Sequence, residues 1–262
     1  MRTFIILASI VVLAGCSSGY QQFYKPYVDA KTLDDVELLK PNEEPKVYST
    51  KDFDRDIRAW RSKQYIPIGY SSFNGEYEGE FEVKAQAKRV GATLVLISTK
   101  YTNTLTTTST MYLPSSTRTY HSGSVYGGGT RVGYSGTTTT YGYNVVPVTT
   151  EEERYNQTAM FFVKSTKKLR FGIFVENLSD EQRQVFERNT GAIIDVVVEG
   201  SPAFYSNVLP GDVLIKVSDS DVRDAKQAHE LMQEISPSAS SVLFTVIRNG
   251  KEREISIKFD KN

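Results

Sequence analysis

The sequence predicts an α+β fold: a small α/β layer, a long β-hairpin inserted into it, and a second globular part made of short strands and two helices. Three observations carry this. Within residues 46–100, apolar residues recur at helical spacing in two windows, and each window is followed by an extended apolar run. Residues 101–150 hold 15 Thr, 7 Gly and 7 Tyr but only Arg118 and Arg131 as charges, which is strand and turn chemistry without a core. From about Leu169, helix caps, short strands and turn signals follow one another closely.

The chain opens with Arg2 and a ten-residue apolar stretch, Phe4 to Leu13. That is too short for a helix to cross about 30 Å of hydrocarbon, but it suits the apolar region of a secretory signal. It runs into Leu13-Ala14-Gly15-Cys16, which uses the only Cys of the chain. This layout resembles the lipobox of bacterial lipoproteins, where the signal is cut before the Cys and the thiol is acylated. The resemblance implies a signal peptide over 1–15 and palmitate-type acylation at Cys16, with the lipid bilayer as a partner. Each buried acyl CH₂ is worth about 0.8 kcal/mol, so several chains on one residue hold a protein without a membrane-spanning helix. Ser17 stands where an Asp usually retains such proteins in the inner membrane, so the same resemblance points to the outer membrane, on its periplasmic side or surface.

Residues 16–45 are polar and rich in Tyr, Pro and acids, and read as a lipidated tether with a helical turn near Leu33 to Leu39. The small α+β domain is expected over 46–165. Lys46 to Ser49 is a strand candidate. Phe53, Ile57 and Trp60 form a helical stripe within Asp52 to Lys63. Ile66 to Tyr70 is extended, with Pro67 suggesting an edge or bulge. Glu76 to Val90 is a second helix with Val83, Ala87 and Val90 on one face, closed by Gly91 in the left-handed region. Leu94-Val95-Leu96-Ile97 reads as a strand buried on both faces, and Thr158 to Val163 completes a βαβαββ layer. The insertion 101–150 is expected to leave near residue 100 and return near 145, with its tip at Gly127-Gly128-Gly129. Such a polar ribbon offers an edge for pairing, including self-association, or Tyr side chains to a glycan or a partner surface.

In the carboxy-terminal part, Ser179-Asp180-Glu181-Gln182 is a capping box. The helix it opens is closed by Asn189-Thr190-Gly191. Ala192 to Val198 is a strand, Gly200-Ser201-Pro202-Ala203 turns into a short helix, and Asn207 ends it with a positive φ. Gly211-Asp212 turns into the strand Val213 to Val217. Arg223 to Ile235 is helical. Val242 to Ile247 and Glu252 to Phe259 are strands joined at Asn249-Gly250, a strong type I′ signal.

This order resembles a PDZ domain of the kind found in bacterial trypsin-like periplasmic proteases of the high-temperature-requirement type. Gly191-Ala192, Gly200-Ser201-Pro202-Ala203, Gly211-Asp212-Val213 and Arg248-Asn249-Gly250 carry the match. It departs at Asn207, where those domains usually have Gly, and at Ser218-Asp219, which replaces Asn-Gly. The resemblance implies a partly open β-barrel with two helices over 168–262. It also implies a groove in which a peptide end adds as a strand, with its carboxylate held by backbone N–H groups. The loop of that groove corresponds to Phe171-Gly172-Ile173, followed by Phe174, with Arg170 adding charge attraction. The helix over 223–235 forms the other wall. Ala225, Ala228, His229 and Met232 share one face of it, and spacing alone leaves open which of them face the groove. His229 and Met232 are taken as its binding residues.

Composition argues against other classes. Lys+Arg and Asp+Glu are 31 each, so no basic excess supports binding to nucleic acid through phosphates. One Cys and two His leave no metal-ligand spacing, so no metal or cofactor is expected. His121 lies in the Thr/Gly ribbon and His229 in a helix, and neither has a Ser in a nucleophile setting nearby, so a Ser/His/Asp enzyme is not expected. The expectation is a non-enzymatic envelope lipoprotein that binds peptide termini or extended segments as an adaptor or scaffold. The alternatives are a structural or adhesive role for the ribbon, or an accessory subunit of an envelope protease.

Overall fold

A computed structural model describes residues 17–259. The signal segment and Cys16 therefore lie outside the described residues.

The N-terminal elements are α1 (Gly19–Gln22), β1 (Tyr24–Pro26), a 3₁₀ turn (Ala30–Thr32), β2 (Val36–Glu37), β3 (Lys46–Ser49), α2 (Phe53–Ser62), β4 (Tyr65–Gly75), α3 (Glu80–Val90), β5 (Leu94–Gly127) and β6 (Thr130–Ser165). The sheet order is β1-β4-β6-β5-β3, with β2 pairing β6. β3 runs parallel to β5, and the intervening α2, β4 and α3 supply the crossover that a parallel pair needs. The apolar run in β5 serves both faces of this sheet. Val95 and Ile97 join Val83 and Ala87 of α3 on one side, while Leu94 and Leu96 join Phe53, Ile57 and Trp60 of α2 on the other. β6 alternates in the same way, with Phe161 and Val163 facing α3 and Phe162 facing α2. Gly91 caps α3 at φ 76°, a conformation without steric penalty for Gly.

Residues 17–45 are not a spacer. Tyr20 is 0% exposed and Ala30 is buried, and Tyr24, Val28, Leu33 and Val36 pack on the same cluster as α3. β1 pairs with β4 through Tyr24, Lys25 and Pro26, and β2 pairs with β6 where a helical turn was expected. The polar average of this segment hid an apolar set at irregular spacing, which neither helical nor strand periodicity reveals.

The distal parts of β5 and β6, residues 100–156, form a separate compact unit together with residues 74–77. It is a two-stranded ribbon closed by Gly128 and Gly129 at φ 60° and 82°, the positive pair that a type I′ turn requires. The return strand runs without a break past residue 145, the expected end of the insertion. At its base Asn74 binds Asn156 and Thr102, Arg154 bonds to Glu152, and Tyr155 meets Tyr77 and Tyr101 edge to face.

The C-terminal elements are β7 (Ile173–Asn177), α4 (Asp180–Val185), β8 (Ala192–Val197), α5 (Pro202–Tyr205), β9 (Val213–Val217), β10 (Ser220–Asp221), α6 (Ala225–Glu234), β11 (Ser241–Arg248) and β12 (Lys251–Lys258). They form a sheet of order β12-β11-β9-β8-β7, with β10 on β9 and no closed barrel. Its core comprises Ile194, Leu214, Phe244, Val246 and Ile257 with Ala228 and Met232 of α6. The capping box forms in full, because Ser179 Oγ accepts from Gln182 N–H while the Gln182 side chain accepts from Ser179 N–H. Asn207 takes φ 60°, and Asn249-Gly250 closes β11 to β12 with both φ values positive.

Candidate functional site

β7 is an edge strand. It pairs antiparallel with β8, from Ile173 opposite Val197 to Asn177 opposite Ala192, and its other side lies beside α6. Between β7 and α6 is an open cavity of about 610 Å³. Arg170, Phe171, Gly172, Ile173, Phe174, His229 and Met232, the residues singled out from sequence, all line it. Lys167, Leu169, Val175 and Gln233 line it as well, with no local pattern to mark them, and so does Ala225, which spacing leaves open between groove and core. Of the shared face of α6, Ala225, His229 and Met232 front the cavity, while Ala228 is buried in the core. That division depends on how α6 is rotated against the sheet, which spacing does not fix.

The loop before β7 is held from behind. Phe171 C=O accepts from Ala203 N–H at 3.0 Å, and Gly172 C=O accepts from Val198 N–H at 2.7 Å. Both carbonyls are thus tied to the β8–α5 segment. The N–H groups of Phe171 and Gly172 have no acceptor among the described residues. Gly172 sits at φ 75°, and a Cβ there would lie 2.1 Å from Ser201 Cβ, so the close approach excludes any other residue without movement. Ser201 also caps α5 by accepting from Phe204 N–H. The Gly-Ser-Pro-Ala turn therefore works as the backing of this loop.

The floor is apolar. Phe171 stacks on Phe244 at 5.9 Å and meets Phe259 edge to face at 5.2 Å, while Ile173 and Val175 pack on the core. His229 Nε2 lies 2.7 Å from Gln233 Nε2 on the exposed side of α6. Arg170 differs from expectation. Its guanidinium donates to Ile235 C=O and Ser236 C=O at the end of α6 and lies over Phe259 at 4.8 Å. It is spent on the helix C-terminus, where a cation is favoured, and does not reach freely toward an incoming anion.

Another polar pair lies outside the groove lining. Arg248 makes two 2.6 Å bonds to Asp212, which is 1% exposed, and a third to Asn207 C=O. The bonded carboxylate pushes the Arg248 pKa above its ordinary value despite burial. This joins the Gly-Asp and Arg-Asn-Gly stretches, 36 residues apart. Among the described residues no group of three or more His, Cys, Asp or Glu is placed to hold a metal ion. No helix among them is long and apolar enough to cross a membrane.

The model of the PDZ domain family matches residues 170–259. A probable periplasmic serine endoprotease, DegP-like, of Pseudomonas fluorescens is 33% identical over 89 residues, covering 34% of this chain and 18% of that protein. Its counterpart in Pseudomonas fulva is 30% identical over 113 residues, covering 43% and 23%. The chain thus spans about a fifth of the length of these curated relatives. The crystal structure of the HtrA3 PDZ domain bound to a phage-derived ligand aligns at 21% identity and TM-score 0.30, covering 34% of this chain and 83% of that one. Residues 170–259 are a PDZ domain homologous to those of the DegP-like periplasmic serine endoproteases.

Proposed function

We propose that the β7–α6 groove captures the carboxy-terminal ends of other polypeptides. The observation that carries this is the loop Phe171-Gly172: both carbonyls are bonded inward, both N–H groups lack an acceptor among the described residues, and the two residues line an open cavity beside a free strand edge. An extended peptide laid along β7 continues the sheet by main-chain hydrogen bonds, and its terminal carboxylate meets two preorganised N–H donors. Phe171, Ile173 and Met232 make the terminal pocket apolar, so an apolar last residue is favoured. The homology of this domain to PDZ domains supports the reading.

In this reading the chain is a non-enzymatic envelope adaptor, anchored at the outer membrane through acylated Cys16. Tyr20 is the first fully buried side chain and lies four residues beyond Cys16, about 14 Å of extended chain. An anchor there holds the folded part close to the bilayer. Cys16→Ser should move the protein from the membrane to the soluble fraction; retention on the membrane contradicts the anchor.

The groove is tested by screening a library of free carboxy-terminal peptides against the full chain, with Ala225→Trp and His229→Trp as blocking variants. Ala225 and His229 line the cavity without belonging to the buried core, so the melting temperature checks the fold independently. Saturable binding that both variants weaken at least tenfold is expected. No binding at millimolar peptide contradicts the proposal.

A further inference from the structure

The ribbon of residues 100–156 raises a physical problem that the groove does not. Strands in globular proteins usually run about 3–10 residues, and a lone two-stranded hairpin is marginal in water. Here β5 and β6 are 34 and 36 residues long. Within the ribbon Tyr112, Tyr120, Tyr126, Tyr141 and Tyr143 are 65–82% exposed. Each long outer edge carries a row of backbone N–H and C=O groups. Such edges are normally protected by Lys, by bulges or by being short. From Tyr101 to Gly127 the only charge is Arg118, and from Thr130 to Thr150 it is Arg131.

We propose that the ribbons of several copies of this chain pair side by side, the β5 edge of one copy against the β6 edge of the next. A second copy fits because this contact repeats the antiparallel ladder the hairpin already makes. Inside the ribbon Thr108 meets Thr149 hydroxyl to hydroxyl at 3.3 Å, His121 meets Thr138, and Arg131 lies over Tyr126. Kept across the joint, the register that sets Thr108 beside Thr149 inside the ribbon would bring Arg118 opposite Thr139 of the neighbour and Arg131 opposite Tyr126. No like charges meet across the joint. The contact is heterologous, so it either closes into a ring or extends as an open ladder. It uses residues separate from the groove, so the two proposals fail independently.

The test is the detergent-corrected mass of the full chain, measured by light scattering and sedimentation over a wide range of concentration. The expected result is a species of several protomers, discrete for a ring and growing with concentration for a ladder. Thr117→Lys with Thr119→Lys sets three adjacent cations around Arg118 on β5, and should return the protein to a monomer. Removing residues 105–150 should do the same. Far-UV circular dichroism and peptide binding on the same samples show whether the remaining fold is intact. A wild-type chain that stays monomeric throughout, or assembly that survives the deletion, overturns the proposal.

Discussion

Gly172 and Arg170 show how far single residues were legible. A Gly between two large apolar residues before a strand marks a loop that needs a positive φ or a close approach, and the structure has both. Substituting Gly172 would strain the fold before it tested the groove, which is why Ala225 is the better place to block it. The role of Arg170 is not legible in the sequence because its acceptors, the carbonyls of Ile235 and Ser236, lie 65 and 66 residues away. Asp212–Arg248 is hidden for the same reason. Asp212 is buried, so removing its partner leaves a carboxylate without its compensating cation. Arg248→Ala should cost about 3–5 kcal/mol of stability in denaturant titration. A loss below about 0.5 kcal/mol, the range of ordinary surface substitutions, would show that water compensates Asp212 instead.

At the scale of elements, strongly patterned segments were readable and weakly patterned ones were not. The stripes of α2 and α3, the two-faced strand in β5 and the Asn-Gly hairpin follow from local spacing. The strands over Tyr24–Pro26 and Val36–Glu37 do not, because two or three residues carry no period. The α2 helix also has a contact that no local pattern announces. Arg61 lies over the Phe174 ring at 4.5 Å and reaches Asp195 at 3.5 Å, and Ser62 C=O accepts from Glu199 N–H. The N-terminal layer therefore braces β7, the strand on which a peptide would pair. A cation–π contact of this kind is worth about 0.5–1 kcal/mol. Arg61→Ala should weaken peptide binding about two- to fivefold by calorimetry. An unchanged Kd would show that the groove strand is held by its own domain alone.

For the whole molecule, the carboxy-terminal domain was legible because a long ordered string of turn residues fixes where each strand begins. The role of residues 17–45 in the N-terminal core was not, because burial there depends on long-range packing of isolated Tyr and Val side chains. The proposed function depends on carboxylate capture by the Phe171-Gly172 loop. The direct measurement is an NMR titration of the protein with one apolar-ended peptide, as the free acid and as its amide. The free acid should saturate near micromolar, about 8 kcal/mol, and shift the amide signals of Phe171 and Gly172. Amidation removes a charge-assisted bond and should weaken binding about tenfold or more. Equal binding of acid and amide, or saturation that leaves those two signals in place, would contradict it.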